Sequence, residues 1–224
     1  MDGAQVSAVA RGESVLVTGG TGFLGAWLTK ALADAGADVV CLVRDDNPGS
    51  NFERLGLPQR VRQVRGSLTD LATVERALNE YEVRTVVHLA AQTQVGVANR
   101  SPLSTFRANV EGTWNLLEAC RALPHVERIV VASSDKAYGS HDTLPYEEDA
   151  PLLAKHPYDA SKAMTEILCR TYAHTYGAPV AVTRCGNIYG PGDTNFQRIV
   201  PDTARALHEG RNPVILSDGT PVRD

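Results

Sequence analysis

The chain has no apolar run near the roughly 18 residues a membrane-spanning helix requires. Its start, Met1 to Glu13, lacks the basic-then-apolar order of a secretory signal, so a cytoplasmic location is the expectation. Cysteine is scarce: Cys41, Cys120, Cys169 and Cys185 lie far apart with no Cys-x-x-Cys pair. That spacing excludes a zinc ribbon and points to reduced, mostly buried thiols. The histidines, His88, His125, His141, His156, His174 and His208, show no His-Glu-x-x-His spacing. No metal site is expected, and they read as structural or solvated. Positive charge is in deficit, with 22 Lys and Arg against 26 Asp and Glu and a net charge of -4. This leaves no basic field for nucleic acid. A Gly-x-Ser-x-Gly elbow is also missing, which removes a Ser-His-Asp hydrolase built on Ser134 and Asp135.

What remains is a chain of 224 residues, 43% hydrophobic, long enough for one sizeable core and a small appended lobe. Short β-branched runs at Ser14 to Thr18, Asp38 to Val43, Val61 to Arg65, Thr85 to Leu89, Arg128 to Ser133 and Val180 to Arg184 read as strands. Several are almost continuously apolar, as in parallel strands covered on both faces. Between them Leu24 to Ala35, Leu71 to Glu80, Pro102 to Ala122 and Pro157 to Tyr176 have helical length and spacing. Asp70 and Ser101 are the expected caps, and Gly36 and Gly177 the expected stops. This βαβ series predicts an α/β fold of the Rossmann type, a doubly wound parallel sheet with ligands at the carboxyl ends of its strands. Gly139 to His156, rich in acid and proline, reads as a loop over that edge. The alternation ends near Gly186, which divides the chain into a dinucleotide-binding domain, residues 1–185, and the start of a further lobe, residues 186–224.

Val15-Leu16-Val17-Thr18 runs directly into Gly19-Gly20-Thr21-Gly22-Phe23-Leu24-Gly25, and an amphipathic helix follows. Strand before and helix after are the context in which such glycines bind a pyrophosphate: Gly19 permits the turn, Gly22 lets backbone approach the anion, and Gly25 lets helix and strand pack closely. At the end of the second strand, Arg44 would favour a 2′-phosphate and Asp45 would accept a bond from a 2′-hydroxyl. NAD and NADP therefore both stay open there, and solvated loop charge is the plain alternative. Ser67 and Leu68 are placed to frame an adenine. Leu89, Ala90 and Ala91, small residues after His88, leave room for a nicotinamide ribose.

Ser133-Ser134-Asp135-Lys136-Ala137-Tyr138 and Tyr158-x-x-x-Lys162 carry the chemistry. Tyr158 and Lys162, spaced i, i+4, share one helix face. The ammonium is expected to favour the phenolate and lower the tyrosine's pKa toward a general base. Asp135 and Lys136 supply an acid and, if Lys136 is partly desolvated, a base. A surface ion pair worth under about 1 kcal/mol is the alternative.

Here the chain resembles the extended short-chain dehydrogenase/reductase family, the NAD-dependent epimerases and dehydratases of nucleotide sugars. The resemblance rests on Thr18 to Gly25, His88-Leu89-Ala90-Ala91, Asn109-Val110-Glu111-Gly112-Thr113, Tyr158-x-x-x-Lys162 and Arg184-x-x-Asn187-x-Tyr189-Gly190-Pro191. It implies an enzyme using NAD, with Ser134 bonding a sugar hydroxyl, Tyr158 as base and Lys162 holding the nicotinamide ribose. Asn187, Arg198 and Arg223 would lie on the substrate side, Asn187 and Arg223 near its phosphates. Ser134-Asp135-Lys136 looks like the CDP-glucose 4,6-dehydratase subgroup, whereas dTDP-glucose dehydratases look like Asp-Glu and epimerases carry small or apolar residues there. The implied reaction is oxidation of a nucleoside-diphosphate sugar at C4, loss of water across C5 and C6, and return of the hydride to C6. A sugar-nucleotide 4-epimerase and a dinucleotide-binding protein without turnover are the alternatives. Family members continue past the position matched by Arg223, so an incomplete C-terminal substrate lobe is expected. A homodimer is the expected assembly.

Overall fold

The alternation of apolar runs and helical stretches yields six strands in a computed structural model that describes residues 11–215 and 217–219. They are β1 (Ser14–Thr18), β2 (Asp38–Val43), β3 (Arg62–Arg65), β4 (Thr85–His88), β5 (Arg128–Ser134) and β6 (Val180–Cys185). All neighbouring pairs are parallel, in the order β3-β2-β1-β4-β5-β6. The strand order reverses between β1 and β4, the point where an open α/β sheet leaves a crevice at its carboxyl edge. The helices are α1 (Phe23–Asp34), α2 (Asn51–Arg54), α3 (Leu71–Glu80), α4 (Val95–Arg100), α5 (Pro102–Phe106), α6 (Gly112–Arg121), α7 (Pro157–Tyr176) and α8 (Ile199–His208). Helices α2, α4 and α8 lie where the sequence reads as loop or irregular chain; in α2 and α4 four to six residues carry too few periodic positions to stand out, and α8 follows the point where the βα alternation ends.

Period-2 alternation divides the core in two. Val15 and Val17 of β1 face Ala26, Phe52 and Leu57 on one side of the sheet. Leu16 joins Val74, Leu78, Leu116, Leu117 and Cys169 on the other. Full burial of each large aliphatic side chain contributes about 1.5–3 kcal/mol before entropy is counted. The covering on the α1 side weakens beyond β4, where Val130 and Ala132 are half-buried and Ala181 and Thr183 are exposed.

Several caps and stops match their residues. Asp70 accepts from the Thr73 backbone N–H, and Gly177, with φ +67°, ends α7 in the left-handed region. Ser101 departs from expectation: its side chain does not cap, and its carbonyl instead accepts from the hydroxyls of Ser104 and Thr105. Nor is Pro102 to Ala122 one α-helix. A π-helical turn, Arg107–Glu111, interrupts it and rotates Asn109 inward, where its side chain bonds both the N–H and C=O of Gln92 and the Ser161 hydroxyl.

A buried ion pair closes the β6 side. Glu166 of α7 receives two nitrogens of Arg184, the nearest at 2.8 Å, and the Ser133 hydroxyl at 2.5 Å. Arg184 also donates to the Tyr138 hydroxyl and the Glu148 carbonyl, both at 2.6 Å, and lies over the Tyr138 ring. Glu166→Ala leaves Arg184 buried without its carboxylate, and about 3–5 kcal/mol of stability should be lost. Urea unfolding measures this directly; an unfolding free energy within about 1 kcal/mol of the parent, roughly a surface-pair effect, would refute a structural role for the pair.

Candidate active site

A cleft of about 1850 Å³ opens at the carboxyl ends of the strands and runs from the β2 edge to the β6 side. Its glycine loop cannot carry side chains. A Cβ on Gly19, where φ is +75°, would sit 2.7 Å from the Ala90 nitrogen, and one on Gly25 would sit 2.0 Å from the Gly19 carbonyl oxygen. Helix α1 begins at Gly22 with no side-chain cap. Its first N–H groups and positive dipole end therefore face a cleft lined by Thr21, Gly22, Phe23 and Leu24, an arrangement that fits the pyrophosphate of a dinucleotide.

The remaining expected cofactor positions line the same cleft: Arg44 and Asp45 after β2, Ser67 and Leu68 after β3, and Leu89, Ala90 and Ala91 after β4. Arg44 and Asp45 form an exposed ion pair with 2.6 Å between Nε and Oδ2. His88 sits beneath them as structure. Its Nδ1 meets the Thr18 hydroxyl at 2.7 Å and its Nε2 the Thr113 hydroxyl at 3.0 Å. Complete burial pushes its pKa down to about 3, which keeps the ring neutral.

At the other end the residues expected to be catalytic come together. Ser134 ends β5, and Asp135 and Lys136 open a 3₁₀ turn. Tyr158 and Lys162 project from the first two turns of α7 into the same space. Ser134 bonds Asp135 at 2.9 Å and lies within hydrogen-bond reach of Tyr158. Lys162, buried, donates to the Ala132 carbonyl at 2.9 Å. Asn187 and Arg198 line the opposite wall, and Arg198 bonds the Ile188 carbonyl and pairs with Asp193. Arg223 lies outside the described residues.

Three expectations change. Tyr158 has a raised pKa, because burial outweighs the lowering effects of the Ser134 hydrogen bond and the Arg198 charge. Lys162 is not among the groups lowering it, since its ammonium is turned to Ala132 and is itself depressed to about 8 by burial. Lys136 is not desolvated: 40% of its side chain is exposed and its ammonium lies 3.5 Å from Asp135. Tyr138, a second tyrosine near the set, is excluded from the cleft by its bond to Arg184. The sequence reading also missed Gln94, Arg100, Ser104 and Arg107, which line the cleft from α4, α5 and the π turn. Their only signal is position, after a strand that ends at the crevice.

Residues 15–224 match the family model described as NAD dependent epimerase/dehydratase. The chain belongs to that family. It is 30% identical over 216 residues to the CDP-glucose 4,6-dehydratase of Salmonella typhimurium, covering 92% of this chain and 60% of the relative. The dTDP-glucose 4,6-dehydratase of Streptomyces venezuelae, solved with NAD bound, superposes with a TM-score of 0.77 at 32% identity over 88% of this chain and 62% of the other. The UDP-glucose 4-epimerase of Thermotoga maritima gives 0.82 at 28% identity, over 92% and 66%. The chain thus spans about three fifths of the length of the dehydratases it matches. As in other α/β proteins of this family, the sheet is parallel and doubly wound. No metal-binding cluster and no helix long and apolar enough to cross a membrane occur among the described residues.

Lys162 supplies a stability test. With its folded pKa near 8 and the ordinary lysine value at 10.5, the unfolded chain binds the extra proton between those values. The burial penalty is therefore full below pH 8 and fades as pH rises toward 10.5. Lys162→Met should stabilise the protein by up to about 3 kcal/mol at pH 7, with the advantage shrinking at pH 10. A pH-independent difference in urea unfolding would contradict the assignment.

Proposed function

We propose that the protein is an NAD-dependent nucleotide-sugar 4,6-dehydratase. The observation that carries this reading is the joining, in one cleft, of Ser134, Asp135, Lys136, Tyr158 and Lys162 with an uncapped, glycine-lined helix N-terminus. In this reading residues 1–185 hold the dinucleotide and residues 186–224 begin the sugar-nucleotide side, with Asn187, Arg198 and Arg223 on it. Bound NAD supplies the acceptor for hydride from sugar C4 and its donor to C6.

The chain's own residues handle the protons. Tyr158 takes the proton of the C4 hydroxyl, oriented by Ser134. Its raised pKa means that it gives up its own proton only when positive charge gathers beside it, and the Arg198 guanidinium, which already acts in that direction, supplies it. Elimination then requires an acid at the C6 hydroxyl and a base at C5. Asp135 and Lys136 stand as an ion pair. Transfer of one proton from Lys136 to Asp135 produces a carboxylic acid and a free amine together. Exclusion of water by bound sugar favours that neutral form, because two charges are costlier than none in a dry site. Asp135 protonates the departing hydroxyl as water, and Lys136 accepts the C5 proton.

The surroundings support the rest of the reading. Three buried free thiols suit a reducing cytoplasm. Exposed Leu103 of α5 and Met164 and Ile167 of α7 provide apolar surface for a homodimer. A nucleoside-diphosphate sugar is the partner.

NAD should bind more tightly than NADP, because Asp45 both accepts from a 2′-hydroxyl and neutralises Arg44. Asp45→Asn should weaken NAD and strengthen NADP, changing their affinity ratio about ten-fold by calorimetry. An unchanged ratio removes Asp45 from the site.

Incubation with a panel of nucleoside-diphosphate hexoses should give a 4-keto-6-deoxy product, one water lighter, with deuterium from C4 recovered at C6. Tyr158→Phe should lower the rate at least about 100-fold. Asp135→Asn should permit oxidation but stall before water leaves, so that reduced cofactor accumulates in a single turnover. A product of unchanged mass with inverted C4 establishes a 4-epimerase instead. Tight NAD binding with no product from any sugar nucleotide establishes a binding protein without turnover.

A further inference from the structure

The loop Tyr189-Gly190-Pro191-Gly192, which follows β6, does not stay on the β6 side of the cleft. Trp27 of α1 donates its indole Nε1–H to the Pro191 carbonyl at 2.9 Å. Asn51, the first residue of α2, donates its side-chain amide to the same carbonyl at 3.3 Å and to that of Gly192 at 3.5 Å. The approach is close enough to demand glycine. Gly192 has φ +77°, and a Cβ there would lie 2.0 Å from the Asn51 amide oxygen. At Gly190 the added carbon would meet the Phe23 ring at 3.6 Å. Asn51 and Gly192 both line the cleft and touch each other, so the cleft is bridged at that point, next to the glycine loop and the N-terminus of α1.

We propose that Trp27 and Asn51 are positioning residues that hold this loop down as a strap over the cofactor cleft, and so set how slowly the dinucleotide leaves. The inference rests on the reading that a dinucleotide occupies the glycine-lined end of the cleft. A molecule held at the glycine loop would share that end of the cleft with Gly192, where the strap meets Asn51. Each donor acts on the strap through a backbone carbonyl. The arrangement suits chemistry in which hydride is lent and returned, because the cofactor then has no need to exchange between turnovers.

The test uses NADH as a fluorescent probe of the full chain. Trp27→Phe keeps an aromatic ring and loses the donor; Asn51→Ala loses the donor without adding charge to the cleft. Stopped-flow displacement should show NADH leaving the double variant about ten-fold faster or more, as expected from losing two or three hydrogen bonds, with each single variant in between. Association should also quicken, while the thermal midpoint of the cofactor-free protein stays near that of the parent, a pattern that a general loss of stability does not give. An unchanged release rate in the double variant overturns the strap, as does faster release accompanied by an equally large fall in cofactor-free thermal stability. Failure of the parent itself to bind NADH overturns instead the dinucleotide reading beneath it.

Discussion

Helix α7 can present Tyr158 and Lys162 to the cleft only because Glu166, one turn further along the same face, is fixed. Burying a carboxylate and a guanidinium costs several kcal/mol each unless their hydrogen-bonding capacity is met. Here Glu166 receives Arg184 from β6 and Ser133 from β5, and Arg184 spends its remaining donor on Tyr138 and Glu148. The pair thus joins the last two strands, the helix with the tyrosine and lysine, the 3₁₀ turn with Asp135 and Lys136, and the loop after it. Hydrogen bonding to Glu166 holds the guanidinium further above its usual range. A hydrophobic pair of the same volume could pack there with equal stability, but it would impose no single register on β5, β6 and α7. Register matters here, because Ser134 adjoins the Ser133 that Glu166 holds.

The fold was legible in the sequence to within about a residue at most strand ends. Parallel strands covered on both faces read as apolar runs, and Gly36 and Gly177 mark helix ends by a conformation that other residues adopt at a cost. What the sequence did not carry was the inside of the second long helix. Asn109 interrupts an otherwise regular pattern, and only in three dimensions is its amide seen to hold the backbone at Gln92 and the Ser161 hydroxyl of α7. A polar residue on an apolar face was the available signal, and it does not specify a π turn. Short α4 was invisible because its six residues, of which Val95, Gly96, Val97 and Arg100 line the cleft, repeat nothing.

The residues expected from the sequence do line one cleft, but their electrostatics were less legible. Spacing placed Tyr158 and Lys162 together, but the sign of the tyrosine's shift depends on burial and on where the ammonium points, and neither follows from i, i+4 spacing. The two lysines of the site make the point. Lys162 is enclosed, finds a carbonyl and no carboxylate within ion-pair distance, and has its pKa depressed. Lys136 stays in contact with water and has Asp135 beside it. One residue type is thus used in two ways. An enclosed ammonium without a counter-ion is a standing source of positive potential, one that a hydroxyl or an anion entering the cleft would meet. An ammonium paired with a carboxylate contributes little field at a distance, but its pair can exchange one proton internally and offer acid and base at adjacent positions. In the dehydration proposed above, that division sets the buried lysine beside the oxidation step and the paired one beside the elimination.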